Sequence, residues 1–388
     1  MKKDTVLTTA GRNPADNFGI VNPPVYHAST IAFPTLAALE EGNANPFEGV
    51  HYGRQGTPTT FAFQDAVAAL EGGDACVALP SGMAAIACAL LAFLKSGDNV
   101  LITDSVYFPT RRFCGSALKG FGVETTYFDP MIGAGISELI RPETKIVFVE
   151  APGSLTFEVQ DIPAIAEAAH GKGAVVIMDN TYSAGLYYQP FEKGVDVSVQ
   201  AATKFIVGHS DAMLGTITVR KDMADLMKAT ANNYGYCAGP DDCYLGLRGI
   251  RSLSPRMQRH QESGLKLAEW LKARPEVERV LHPAFPECPG HDIWKRDFTG
   301  ACGLFGVVLK PASMNALSAM MDGMEHFSMG YSWGGFESLI IPTYPAKIRT
   351  ATEWTYEGPS LRIHTGLEDV DDLIADLDAG LRRLIAAA

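Results

Sequence analysis

At 388 residues the chain exceeds the ~250–300 at which one hydrophobic core usually stops growing, and 47% hydrophobic against 20% charged residues excludes disorder or a disulfide-held miniprotein. Its 32 Lys and Arg against 44 Asp and Glu give a net charge of -12, which argues against nucleic acid as a partner. The longest apolar run, Ala84 to Leu94, is shorter than the ~18–20 residues of a membrane span, and no signal core follows Met1; the seven cysteines form no CxxC pair, so a soluble, cytoplasmic protein with reduced thiols is expected.

Residues 1–60 carry Pro14, Pro23, Pro24, Pro34, Pro46 and Pro58, which block long helices and predict an extended arm with one short helix near 35–41. From 75 to 220, inside an expected large domain over 61–250, β-rich runs recur at Cys76–Leu79, Val100–Thr103, Thr125–Phe128, Lys145–Glu150, Val175–Met178, Val195–Val199 and Thr216–Val219. Helical segments such as Met83–Lys95, Thr110–Lys119 and Ile162–His170 separate them, so an α/β domain with a mostly parallel seven-stranded sheet is predicted. The basic stretch Arg248, Arg251, Arg256, Arg259 and His260 reads as a solvated or interfacial helix face. Beyond 250 the pattern changes to a smaller α+β domain, 251–388, with a helix over Arg256–Ala273, strands at Leu304–Leu309 and Leu361–His364, a helix over Ser313–Met321 and a last helix from Glu368. In that last helix Val370, Leu373, Ile374, Leu377, Leu381 and Leu384 recur at helical spacing.

Common nucleotide and hydrolase motifs are absent. Gly133-Ala134-Gly135 lacks the third glycine of a dinucleotide fingerprint, and Gly171-Lys172 lacks the upstream glycine of a P-loop. Ser81 lacks a hydrolase elbow, the histidines show no metal spacing, and His209 reads as a local hydrogen-bonding residue. What remains is an ordered set. Pro80-Ser81-Gly82-Met83 joins a strand to a helix, where free N–H groups can hold an anion. Asp179 ends an apolar strand and needs a cation or a donor. Lys204 ends another in mostly apolar company, which lowers a lysine's pKa and makes it a nucleophile or base. A lysine for a Schiff base, an aspartate for a pyridinium nitrogen and a phosphate nest are what pyridoxal 5'-phosphate (PLP) requires.

With Ala202-Thr203-Lys204-Phe205 followed by Gly208-His209-Ser210-Asp211, the sequence resembles the Cys/Met-metabolism family of PLP enzymes, from Tyr52-Gly53-Arg54 to Gly366-Leu367-Glu368-Asp369-Val370. The resemblance implies the aspartate-aminotransferase architecture, fold type I. It implies Lys204 as the Schiff-base lysine, Asp179 on the ring nitrogen, Tyr107 stacked on the ring, and Gly82, Met83 and Thr203 on the phosphate. It also implies that Tyr52 and Arg54 reach the phosphate of a neighbouring subunit, hence a homo-oligomer, a tetramer built from dimers with shared sites. Arg362 fits the arginine that grips an amino-acid carboxylate.

Two positions depart from many relatives: Ala201 stands where they carry a serine, and Thr57 precedes Pro58 where they carry an asparagine. Both resemble the bacterial β-lyase branch. So does Ser332-Trp333-Gly334-Gly335, because γ-acting relatives usually have a smaller aliphatic residue in place of Trp333. Ser332, Trp333, Tyr107 and Arg362 are therefore the expected substrate contacts, with Lys204 and Tyr107 catalytic. The expected reaction is β-elimination of L-cystathionine; γ-synthase or γ-lyase chemistry is the alternative, and a PLP-binding regulatory protein a remote third.

Overall fold

The computed structural model describes residues 1–388. The seven β-rich runs become β1 (Ala75–Leu79), β2 (Asn99–Thr103), β3 (Glu124–Phe128), β4 (Thr144–Glu150), β5 (Val175–Asp179), β6 (Val197–Gln200) and β7 (Gly215–Val219). They form one sheet in the order β1-β7-β6-β5-β4-β2-β3, in which only β7 runs against its neighbours. Alternation along the strands builds two cores. Val100, Ile102, Ile146 and Phe148 pack on one face with the helix Gly82–Leu91, whereas Leu101, Val147 and Val149 pack on the other with the helix Ile162–His170. Successive side chains of a strand point to opposite faces, so a sheet covered on both sides needs such continuous apolar runs.

A second sheet, entirely antiparallel, is formed by β8 (Val277–Leu281), β9 (Leu304–Leu309), β10 (Leu339–Thr343) and β11 (Ser360–His364) in the order β10-β11-β9-β8. Sequence reading misses β8 and β10. Pro342 lies inside β10 and is tolerated because β10 is an edge strand. The helix Val370–Ala386 buries Leu373, Leu377 and Leu381 against this sheet.

Two expectations need correction. The arm forms the expected short helix at Leu36–Ala44, capped by Thr35, but also a helix at Lys3–Thr9. That helix is held by tertiary contacts: Leu7 is buried, and Lys3 Nζ donates to Leu70 O at 2.5 Å and Gly185 O at 3.2 Å. The basic stretch is not a solvated face of one helix, since Ser252 divides it between Pro240–Arg251 and Leu253–Lys272. Arg251 donates to Leu7 O and Ala10 O, and buried Arg256 to Phe205 O and Gly249 O. These arginines tie segments together by hydrogen-bonding backbone carbonyls, of which Gly249 O also accepts from Ser252 N at 3.1 Å.

All seven cysteines are free, and only Cys237 is exposed. His209 donates from Nδ1 to Val207 O at 2.7 Å, the local role expected of it. No helix is long and apolar enough to cross a membrane.

Candidate active site

Parallel register sets two carboxylates side by side, because Asp179 closes β5 opposite Glu150, the last residue of β4. Asp179 Oδ1 accepts from Thr181 N at 3.0 Å and from Thr181 Oγ1 at 2.5 Å, leaving Oδ2 without a protein partner beside a cavity. Burial raises the Asp179 pKa against the pull of the Thr181 hydrogen bonds and the nearby Lys204 charge. A cationic N–H is what this carboxylate lacks.

Across the cavity, Ser81 caps the helix Gly82–Leu91 by accepting from Ala84 N at 3.1 Å. The Gly82 and Met83 N–H groups at the start of that helix have no acceptor and suit an anion. Gly82 is required there: an added Cβ would stand 2.5 Å from Ala201 Cβ. Thr203 Oγ1 accepts from Leu214 N at 2.8 Å, and its proton points to Leu214 O, which Thr203 N also contacts at 3.0 Å. That proton is free to turn toward an anion because Leu214 O keeps the backbone donor.

Lys204 follows β6 by a few residues. Burial, helped by the Arg362 charge, lowers its pKa to about 8 although Asp179 opposes the shift. Lys204 Nζ donates to Ser332 Oγ at 2.8 Å and lies 5.3 Å from the centre of the Trp333 ring. Arg362, on β11, directs Nη2 at Tyr331 O (2.9 Å) and Ser332 O (3.1 Å). Its Nε and Nη1 make no protein hydrogen bond and it pairs with no carboxylate, so a guanidinium edge is left for a ligand. Tyr107 begins the helix Phe108–Phe113 and donates its N–H to Glu150 Oε2 at 2.7 Å. Burial and the charges of Asp179 and Glu150 raise its phenol pKa.

One cavity of about 360 Å³ is therefore lined by Gly82, Met83, Tyr107, Asp179, Thr203, Lys204, Ser332, Trp333 and Arg362. Tyr52 and Arg54 are not among its residues. Arg54 lines a separate cavity of about 320 Å³ and donates to Asn232 O at 2.9 Å, and Tyr52 bridges to Thr30.

Sequence reading overlooks Glu150, Thr181 and Leu155, which also line the cavity; Leu155 does so with a left-handed φ of 67°. Glu150 carried a legible signal, an acid at the end of an apolar strand, as at Asp179. Burial and the neighbouring Asp179 push its pKa well above the ordinary value. Thr181 carried none: its hydroxyl donates to Asp179 while accepting from Ala201 N at 2.9 Å, a link visible only in three dimensions.

The cavity thus offers a reactive amine, a carboxylate awaiting a protonated nitrogen, an anion nest and an aromatic wall, a set that fits PLP. Comparison with known proteins agrees. A relative in Rhizobium johnstonii, a putative cystathionine beta-lyase, is 47% identical over 97% of this chain and 95% of its own. The Escherichia coli cystathionine beta-lyase MetC is 46% identical over 99% of both chains. The crystal structure of metB from Corynebacterium glutamicum superposes with a TM-score of 0.89 at 30% identity, covering 99% of this chain and 98% of that one. Because the Cys/Met metabolism PLP-dependent enzyme family matches residues 4–382, which include the whole Lys204 cavity, the chain belongs to that family.

Proposed function

We propose that this enzyme is a cystathionine β-lyase, converting L-cystathionine to homocysteine, pyruvate and ammonia in methionine biosynthesis. The observation that carries this reading is the seating of Ser332 and Trp333 against Lys204 Nζ, since the resemblance implies that γ-acting relatives usually have a smaller aliphatic residue in place of Trp333. Asp179 would hold the cofactor ring N–H, Gly82, Met83 and Thr203 its phosphate, Tyr107 its ring face and Lys204 its aldehyde carbon. When bound, PLP supplies an electron sink for the pair left behind as the Cα proton departs.

The substrate carboxylate takes the open guanidinium edge of Arg362, in a bidentate pairing that turns the Cα proton toward Lys204. Lys204 Nζ, freed when the substrate amine takes its place on the aldehyde carbon and neutral above about pH 8, would remove that proton as general base while Ser332 Oγ steadies the amine. Asp179 keeps a proton on the ring nitrogen and so stabilises the developing charge. The Cβ–S bond then breaks, and the homocysteine sulfur takes a proton from Lys204 or from the Tyr107 phenol, which its raised pKa keeps protonated. The three-carbon fragment leaves as 2-aminoacrylate, whose imine tautomer water hydrolyses to pyruvate and ammonia.

We further propose an arm over 1–60, a PLP-binding domain over 61–250 and a C-terminal domain over 251–388, assembled as a cytoplasmic homotetramer of dimers. Exposed Phe18, Tyr26 and Leu36 on the arm support burial by a second copy. Product analysis with L-cystathionine tests the main reading: pyruvate with homocysteine is expected, whereas 2-oxobutyrate with cysteine would mean γ-elimination.

A further inference from the structure

Ser332 and Trp333 stand on a loop held by more than their own contacts, which are the Lys204 amine for Ser332 and the Phe205 ring, 5.4 Å away between centroids, for Trp333. Gly334 lies against the lysine itself. At φ +85°, an added Cβ would stand 2.9 Å from Phe205 N and 3.0 Å from Lys204 Cβ, so the loop rests on the Lys204 backbone. The Gly334 N–H donates to His364 Nε2 at 3.1 Å. His364 is two residues beyond Arg362 on β11, and the strand's period of two points both side chains to the same face. One strand thus carries the guanidinium that holds the loop's carbonyls and the imidazole that holds its N–H.

His364 Nε2 also lies 3.2 Å from Gly335 O, to which it could donate only with its proton on Nε2. The Gly334 N–H is the shorter contact, and for Nε2 to accept it the His364 proton must sit on Nδ1. That nitrogen is buried without a partner. The neighbouring ring is His260, with centroids 5.2 Å apart and planes inclined by 41°. His260 Nδ1 donates to Thr365 O at 2.8 Å, so its Nε2 is bare, and it too is buried without a partner. Two adjacent rings therefore contain one unpartnered N–H and one unpartnered acceptor. The two rings are complementary in this respect, a donor on one and an acceptor on the other. His260 is completely buried and His364 1% exposed, and burial depresses the pKa of each, His260 to about 4.

We propose that His364 is a positioning residue whose bare Nε2 holds Gly334 and thereby sets Ser332 and Trp333 against Lys204, with His260 fixing the His364 tautomer. This rests on the reading of Lys204 as the reactive amine. His364→Phe fills the same space without an acceptor, whereas His364→Gln returns an acceptor near the position of Nε2.

His364→Phe should lower kcat for L-cystathionine about tenfold, as loss of one buried hydrogen bond implies, with KM little changed, and His364→Gln should recover most of that loss. Borohydride should fix pyridoxyl on Lys204 equally in both variants and in the wild-type holoenzyme, so that lost activity is not lost cofactor. Unchanged kcat in His364→Phe, or a His364→Gln as impaired as His364→Phe, overturns the proposal.

Should His364→Phe not fold, ¹⁵N-histidine NMR of the wild-type holoenzyme decides the matter alone. His260 and His364 should both carry their proton on Nδ1, and a proton on His364 Nε2 refutes the model. A wild type that borohydride does not label at Lys204 sinks the site reading instead, and the tautomer measurement still decides what His364 holds.

Discussion

Lys204 is subject to opposed influences: burial and the Arg362 charge favour the neutral amine, and Asp179 favours the ammonium. Burial wins, and the pKa falls from 10.5 to about 8. Only the neutral amine attacks an aldehyde, so the rate at which the cofactor-free chain takes up PLP should rise with pH and level off above about 8. Borohydride-fixed pyridoxyl on the Lys204 peptide, counted against pH, measures this rate. An inflection near the ordinary lysine value, or label on another lysine, would contradict the assignment. The chemistry of this residue was legible in its apolar company, from Val197 to Phe205. Its tether to Ser332 lies 128 positions along the chain and was not.

Elements are joined by one carboxylate that no motif announces. Asp104, just beyond β2, is fully buried. It accepts from Thr350 N (3.0 Å), Ala351 N (3.0 Å), Thr352 N (2.8 Å) and Thr352 Oγ1 (2.8 Å), and from Arg111 Nη2 at 2.5 Å on the helix that Tyr107 begins. The segment between β10 and β11 is thereby stapled to the wall of the cavity. Burial alone would raise the Asp104 pKa, but the Thr350, Thr352 and Arg111 hydrogen bonds outweigh it and hold the carboxyl below its usual value. A carboxylate depressed in the fold stabilises above its unfolded pKa of about 3.9, and that contribution disappears as pH falls through the lower folded value. Asp104→Ala leaves the Arg111 charge without its partner, so urea denaturation at neutral pH should show a loss of about 3–5 kcal/mol. A loss below about 0.5 kcal/mol, the level of an ordinary surface substitution, would mean the staple carries no load.

For the whole molecule, the telling residues are those the single chain keeps away from its own site. Arg54 binds Asn232 and borders another cavity, which is compatible with an arm that serves a neighbour. On the proposed shared-site assembly, Arg54→Ala damages the neighbour's site and Lys204→Ala its own. A mixed dimer then has one doubly damaged site and one intact site. Co-refolding the two poorly active variants should restore activity clearly above either parent. If mixed dimers form and no activity returns, the arm does not act across subunits.

The sequence by itself determined the repeating strands and helices of the large sheet and the order of Gly82, Tyr107, Asp179, Lys204 and Arg362 along the chain. The elements and the places of Gly82, Asp179 and Lys204 follow from local properties, namely side-chain period and the chemistry of residues at strand ends, whereas Tyr107 and Arg362 stand out only through the family resemblance. Tertiary structure alone decided that Glu150 lies beside Asp179, that Arg251 and Arg256 turn inward to carbonyls, that Lys3–Thr9 coils against Leu70, and that His364 reaches Gly334. Each of these depends on register or on a crossover that brings distant segments together, and a buried polar group takes whichever partner the packing supplies.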